Sequence, residues 1–470
     1  NKTTYSDLIY FRSAALIDLP KGGLGIRVTT LQECGNKRQA KLRIGKFEMN
    51  LSKTTIHKSC PWAFAPKCHL VGYFASGTII NQTVRGVPLP LMLPNFAEVY
   101  DDRQDAWKRI DLVDGSSSQI KTHRLAVCLQ PIYLMADWPL IPQFFETWIG
   151  NGATIFYVYV HSISEEVELM IKLYEAQHDI EVVRVDWPAV PSLEEDDDDQ
   201  NPNNRMYRTE VGTAVNDCLL RARANAELAV SSDLDEIIAP LNLNGTNETL
   251  FDIIEDYRKR KLKNNAMPGA FLFRQSFAYA ENNWFNISHP SELTFAHYHS
   301  VDYDKKVWQR GYRSKVIYVP DRVFRAHVHD TVAFESKQWA TAVVDPNRAR
   351  VLHFRQIDNS YMRKGNVTAG SHVLGEAAAK WQTAYAARLE AVNELEGESQ
   401  LRGAFNLTFA SEVWPNLGEQ VLNEIEQCRD VNSKMKKDKC VTERRCRSTM
   451  RSVRPDQWIE PDSSKAWTVI

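Results

Sequence analysis

The chain has 470 residues, more than one hydrophobic core ordinarily holds, so two or three domains are expected. Hydrophobic residues make up 43% and charged residues 25%, which excludes a disordered or fibrous chain. The 57 basic and 59 acidic side chains leave a net charge of -2, which argues against a general electrostatic nucleic-acid binder, and no apolar run reaches the roughly 18 residues of a transmembrane helix.

In chain order, residues 1–122 read as a β-rich, sandwich-like accessory unit. Short strand candidates at 25–30, 40–44 and 71–74 are separated by Gly, Pro, Asn and Lys clusters. The stretch 101–121 reads as a linker. From about 123 the pattern changes. A buried strand at 125–129 precedes a helix that has Pro139 in its first turn, an apolar stripe of Leu140, Ile141, Phe144, Phe145 and Trp148, and Gly150 at its end. A strand at 154–160, a helix carrying Val167, Met170, Ile171 and Tyr174, and a strand at 180–185 follow. This alternation predicts an α/β fold with a mainly parallel sheet covered on both faces. Glu194, Glu195 and Asp196 to Asp199 read as a solvated loop, with a calcium site as the minority reading. A helix over about 207–225 and a strand ending at Ser231-Ser232 lead into Asp233-Leu234-Asp235-Glu236. Later strands at 271–273, 294–298 and 315–319 predict that the sheet turns mixed. The catalytic unit is expected to span 123–375, and a helical segment with a cysteine-rich basic tail (Lys434 to Arg447) the remainder, 376–470.

Sequons and cysteines speak to the compartment. N-x-[ST] acceptors stand at Asn1, Asn50, Asn81, Asn244, Asn247, Asn286, Asn366 and Asn406, more than chance would casually supply. The chain begins without Met or a signal peptide, so it reads as a trimmed ectodomain or a soluble form of a secretory-pathway protein, any anchor expected upstream of Asn1. Eight cysteines fall as Cys34, Cys60 and Cys68, then Cys128 and Cys218, then Cys428, Cys440 and Cys446. If all pair, the two end segments are bridged either to each other or to the middle; Cys128 and Cys218 read equally well as buried free thiols. No CxxC pair exists, which argues against a zinc ribbon.

The chemistry concentrates at Asp233 and Asp235. Two carboxylates one residue apart, leaving the carboxyl end of a parallel strand, can share a divalent cation that neutralises a departing diphosphate. Transfer from a nucleotide-diphosphate sugar needs that arrangement. His297/His299 and His327/His329 each read as two imidazoles on one strand face, and His353 is a further nitrogen ligand suited to Mn or Zn. A zinc hydrolase built from the two HxH pairs is the rival enzyme reading, and a non-catalytic glycan-binding protein with a degenerate transferase domain is another. Trp138, Trp187, Trp284 and Trp308 are candidates to stack on sugar or uracil, although core packing suits any single one better.

The segments 126–133, 145–150, 157–159 and 174–175, Asn216-Asp217-Cys218, Asp233 to Ile237, 315–320 leading to His329, and 352–355, with an opening at 11–15, resemble glycosyltransferase family 92 in their order and spacing. The resemblance implies a GT-A fold, a Golgi type II membrane enzyme, inversion, Mn2+ and a UDP-galactose donor. Within that family the chain looks most like nematode members that place β1,4-galactose on the core fucose of N-glycans, so a fucosylated N-glycan is the expected acceptor. By position, Asp233 and Asp235 become metal and diphosphate residues supported by Glu236, with His353, or alternatively His329, as third ligand. Arg310, Arg313 and Lys315 are diphosphate candidates. Inversion needs a carboxylate base. Glu281, after the 271–279 strand, is assigned that role, with Asp302, Asp304 and Asp330 competing.

Overall fold

The computed structural model describes residues 5–20, 23–79, 83–84, 87–88, 93–116, 120–192, 200–243, 247–281, 284–354, 366–394, 399–405, 414, 417–434, 439–442 and 444–470. In the first part, ten strands are β1 (Ile9–Asp18), β2 (Leu24–Glu33), β3 (Lys41–Ile44), β4 (Phe47–Asn50), β5 (Ser52–Thr55), β6 (Leu70–Ile79), β7 (Thr83–Val84), β8 (Val87–Pro88), β9 (Phe96–Asp101) and β10 (Ala106–Asp114). All but the small β7–β8 hairpin join one sheet in the order β4-β3-β9-β10-β1-β2-β6-β5. Leu16, Ile26 and Val28 from its middle share a core with Leu42, Ile44 and Val99 from its far side, so the sheet curls over itself. The expected linker at 101–121 is largely strand: β10 hydrogen-bonds β1 in parallel, Ala14 opposite Leu112. Alternation in 106–114 is only half-apolar, which hid a strand that lies inside the sheet between β9 and β1.

The second part starts with β11 (His123–Ile132) and continues through α1 (Leu140–Gly150), β12 (Ile155–Val160), α2 (Glu165–Glu175), β13 (Glu181–Asp186), α3 (Val211–Ala222) and β14 (Ala226–Ser232). Local chemistry explains the helices. Ser164 caps α2 by accepting from the Val167 amide, and Glu165, Glu166 and Glu168 complement the positive end of its dipole. Every residue of β12 is buried, as a strand covered on both faces requires. β13, β12, β11 and β14 lie side by side in parallel. Sequence order reverses between β11 and β14, the point at which an open α/β sheet leaves a crevice at its carboxyl edge.

Then come β15 (Glu236–Pro240), α4 (Leu250–Arg258), β16 (Met267–Phe273), β17 (Gln275–Tyr279), β18 (Val301–Asp304), β19 (Lys315–Tyr318), β20 (Val323–His327), β21 (Asp330–Phe334), β22 (Trp339–Val343), β23 (Ala349–Phe354) and β24 (Val367–Ser371). Strands β19, β16 and β22 complete the seven-stranded sheet; β19 runs antiparallel to β14, so the sheet is mixed as expected. A second sheet has the order β15-β23-β17-β18-β24. The predicted strand at 294–298 is instead a 3-10 turn, Ala296–His299, with the strand starting at Val301. The chain closes with α5 (Gly375–Ala391), α6 (Ser399–Phe405), α7 (Gly418–Lys434) and β25 (Thr468–Val469), which pairs with β1 beside Tyr10 and Phe11.

All eight cysteines pair: Cys34–Cys60, Cys68–Cys440, Cys128–Cys218 and Cys428–Cys446. The free-thiol reading of Cys128 and Cys218 is therefore replaced by a bridge from β11 to α3. Of the two bridging schemes, the ends are joined to each other. Asn50, Asn247, Asn286 and Asn366 are exposed; Asn1, Asn81, Asn244 and Asn406, like the acidic run 194–199, lie outside the described residues. Among the described residues no helix is long and apolar enough to cross a membrane.

Candidate active site

Strand β14 ends at Ser232, and the Asp233-Leu234-Asp235 turn carries the chain from the large sheet into the second one. Pairing explains what surrounds it. Glu236 stands opposite His353 in the β15–β23 ladder, and the Phe354 amide donates to the Asp235 carbonyl at 2.8 Å. His353 Nε2 then lies 3.0 Å from Asp235 Oδ2, and its Nδ1 is 3.6 Å from Glu236 Oε1. On the other side Lys315, at the start of β19, is fully buried. It donates to Asp233 Oδ2 and forms an ion pair with Glu236 Oε2, each at 2.8 Å. Gln143 of α1 holds the turn by donating to the Leu234 carbonyl at 2.9 Å, and Tyr298 fixes Gln143 by donating to its Oε1 at 2.6 Å.

The electrostatics follow from this packing. Burial alone would raise the Asp233 carboxyl, but the Lys315 ammonium and its hydrogen bond outweigh it and hold the group below its ordinary value. Its side chain is still 40% exposed, so the acid faces open space as well as the lysine. Glu236 is buried, and burial pushes its carboxyl up despite Lys315. Lys315 pays for its desolvation through the two acids, which keep it protonated.

Of the nitrogen candidates, His353 is in the cluster. His329 is not bonded to either aspartate; its Nδ1 lies 3.1 Å from the Ser314 carbonyl, and burial with Lys315 nearby lowers it to about 4. The HxH readings are corrected. His297 and His299 sit on a 3-10 turn, where His297 packs edge-on to Trp284 while His299 is exposed. His327 ends β20 and His329 lies in the following turn, so these rings do not share a strand face. Among the described residues no three His, Cys, Asp or Glu are grouped as a ready-made cation cage. Asp235, partly exposed, and the buried His353 beside it suit a hard-to-borderline cation that takes its other ligands from a substrate diphosphate, the usual manner of Mg-type sites.

The other candidates separate. Arg310 is committed to Asp330 through two hydrogen bonds of 2.9 and 3.0 Å. Arg313 lies over Phe277 and Trp308, and Phe277 in turn packs on His353. Trp308 is therefore the half-buried tryptophan near the site, whereas Trp138, Trp187 and Trp284 are core. Among the carboxylates read as bases, Asp302 accepts from the Gly370 amide and Asp304 is buried. Glu281 is exposed just beyond β17, which runs parallel to β23 with Ala278 opposite Phe354, so the chain reaches it from the end where His353 sits.

Sequence reasoning missed Asp137. It lies in the β11–α1 loop, 5% exposed, and neither carboxylate oxygen has a hydrogen-bond partner among the described residues. Burial, then the charge of Asp235, push it up to about 7. A lone acid in a loop gives no periodic or spacing signal; only the fold brings it toward Asp235.

The model of glycosyltransferase family 92 matches residues 123–392, more than half of the chain and the whole stretch that builds this turn. The chain belongs to glycosyltransferase family 92. As a glycosyltransferase it has the strand-end aspartates, the partnered lysine and the histidine on elements that the family match covers. Among solved structures, it is similar to HddC from Yersinia pseudotuberculosis at 9% identity, covering 49% of this chain and 93% of that one with a TM-score of 0.24. It is also similar to S. aureus TarS 1-349 in complex with UDP-GlcNAc, at 11% identity over 61% of this chain and 71% of that one, TM-score 0.27. No curated protein matches the chain.

Proposed function

We propose that this glycosyltransferase has a GT-A architecture and moves galactose from UDP-galactose, with inversion and dependence on Mn2+, to a glycan acceptor, the core fucose of N-glycans in β1,4 linkage. Its setting is the Golgi lumen, as the ectodomain of a type II membrane protein. The observation that carries the reading is the Asp233–Asp235 turn at the carboxyl edge of the switch-point strand, with His353 at 3.0 Å from Asp235. The sugar, acceptor and linkage rest on the family resemblance, and four exposed sequon asparagines support passage through the secretory pathway.

In this reading Asp235 and His353 hold the cation, with Asp233 toward the diphosphate. When bound, the cation stabilises negative charge on the leaving diphosphate. The chain's own residues do the rest. Lys315 sets the charge and direction of Asp233, and Gln143 with Tyr298 keeps the turn rigid. Glu281 takes the proton from the acceptor hydroxyl as its oxygen bonds the anomeric carbon and the bond to UDP breaks. Trp308 and Arg313 form the flank on which donor or acceptor packs. A UDP-sugar panel with and without Mn2+, scored for UDP release, tests the reading. Asp235→Ala should abolish transfer with the fold retained by circular dichroism; retained turnover would refute the role of this turn.

A further inference from the structure

The sheet edge opposite the catalytic turn carries a charged surface that the reaction does not use. Strands β14 and β16 both run antiparallel to β19, so they point the same way, and β22 runs parallel to β16. Their first residues, Ala226, Met267 and Trp339, therefore share one edge, about 20 Å along β14 from the Asp233–Asp235 turn. The chain reaches β16 through Arg258-Lys259-Arg260-Lys261-Leu262-Lys263, five cations in six residues. Lys259, Arg260, Lys261 and Lys263 are exposed, while Leu262 packs against the large core.

The acids of this region are already taken, and arginines take most of them. Arg258 pairs with Glu255 at 3.1 Å and reaches Glu227 at 3.9 Å, and Arg260 pairs with Asp256, which Arg348 also holds. Glu335 is committed to Arg27 and Arg223, and Asp321 faces Lys121 and Arg223. The ammonium groups of Lys259, Lys261, Lys263 and the exposed Lys337 have no ion-pair or hydrogen-bond partner among the described residues. Arg322 beside them donates to the Pro268 carbonyl at 2.6 Å and lies over the Trp339 ring at 4.1 Å. The loop is fixed in place. The Lys263 carbonyl accepts from the Ala266 amide at 3.3 Å, and Asn264 and Asn265 between them take left-handed φ of 60° and 56°, the pattern of a type I′ turn that Asn tolerates. The Leu262 amide closes the loop on the Ala266 carbonyl at 2.8 Å. The Met267 amide donates to the Gln338 carbonyl at 2.8 Å, which seats Lys337 beside this turn.

We propose that this edge is a docking surface for a sulfated polysaccharide, held by Lys259, Lys261, Lys263 and Lys337. Ammonium groups without acidic partners keep their charge for a ligand, and a linear polyanion that meets several at once releases its condensed counterions. A sulfated glycan repeats its anionic groups along the chain and so meets neighbouring lysines together. Four disulfides suit an oxidising compartment, where nucleic acid is not the polyanion at hand. Leu262, the one apolar side chain among residues 258–263, packs against the core, so no apolar group of the loop accompanies the lysines into an acyl layer. Docking here leaves the Asp233–Asp235 turn open on the other edge, so the enzyme is held on the polyanion without its site being covered.

The test measures binding of the whole chain to heparin and to desulfated heparin in about 0.15 M NaCl, and heparin is expected to bind about tenfold tighter or more. Lys259→Gln/Lys261→Gln/Lys263→Gln should weaken heparin binding about tenfold, and adding Lys337→Gln should weaken it further. All four side chains are exposed, so the melting midpoint and UDP release should stay at the parent's values. A control triple, Lys41→Gln/Lys380→Gln/Lys465→Gln, removes the same charge from lysines that are ion-paired elsewhere on the surface and should bind heparin as the parent does. Equal binding of desulfated heparin, an equal loss in the control, or unchanged binding by the loop variant would each overturn the proposal. Vesicles of phosphatidylcholine and phosphatidylserine at about four to one that bind as tightly as heparin, and lose the chain with the loop variant, would overturn it in favour of a membrane.

Discussion

Asp137 poses the sharpest question at the scale of single residues. A buried acid with no hydrogen-bond partner costs free energy whenever it ionises, and burial with the nearby Asp235 pushes it up to about 7. An acid raised in the folded state weakens stability as pH climbs from its ordinary value near 3.8 through 7, because the unfolded chain releases the proton first. That difference is worth about 4 kcal/mol at pH 8. Asp137→Asn is therefore expected to raise the melting midpoint at pH 8 and leave it nearly unchanged at pH 4. Equal shifts at the two pH values in thermal unfolding would show that the carboxyl is not the source. Lys315 gives the opposite case. Replaced by Met, it leaves Asp233 and Glu236 without the cation between them, a loss of about 3 to 5 kcal/mol read by urea unfolding. The aspartate pair was legible in the sequence because two acids after an apolar strand make a local pattern. Lys315 was read there as a diphosphate ligand; its full burial between two acids is a tertiary fact that no local pattern carries.

At the scale of elements, α3 and the turn before it do the joining. Asp217, buried on α3, accepts from Tyr159 Oη at 2.5 Å, from Arg221 Nε at 2.8 Å, and from Ser13 of β1. Gly72 of β6 allows the sheet to touch α3: a Cβ there would come within 1.8 Å of Thr213 Oγ1. Gly72→Ala should cost about 1 to 3 kcal/mol in chemical unfolding, the usual toll of overpacking. The same joint carries a pH dependence. Burial would lower His57, but the Glu210 carboxylate 3.2 Å away outweighs it and raises the imidazole above 6.5. A raised imidazole stabilises fully below its unfolded value and loses that contribution as pH rises through the folded one. Stability should thus decline above pH 6.5, and Glu210→Gln should flatten the decline while costing about 2 kcal/mol. Melting curves across pH 5.5 to 9 check both; a variant as steep as the parent would exclude this pair as the cause. The helices of this region announced themselves by apolar spacing, and so did β11 to β14. The turn at 207–210 did not, because left-handed Arg and Glu residues run against their own preference and are held there only by distant partners.

At the scale of the molecule, the N-terminal sheet and the transferase part each have a core of their own and share a further cluster between them. Leu8 and, from the curled sheet, Tyr10, Leu31 and Leu70 pack in one cluster with Val215, Leu219, Ala126 and Trp467. Trp467 donates to the Pro188 carbonyl at 3.1 Å, Ile470 is buried at 1% exposure, and β25 hydrogen-bonds β1. Cys68–Cys440 ties the same regions across 372 residues. The change of strand character and spacing near 122 is a local pattern that the sequence displays. The shared cluster was not legible, because apolar residues in both parts satisfy a local pattern whichever surface they meet. A part that shares a cluster with its neighbour exposes that cluster when the neighbour is removed. Residues 123–470 expressed without the preceding sheet would expose the α3 face that Gly72 and Tyr10 cover and leave Asp217 without Ser13. That fragment is expected to lack a cooperative calorimetric transition and to bind a hydrophobic dye, whereas the whole chain should give one transition in which both parts melt together. A fragment that melts cooperatively within a few degrees of the intact protein would mean the shared cluster contributes little.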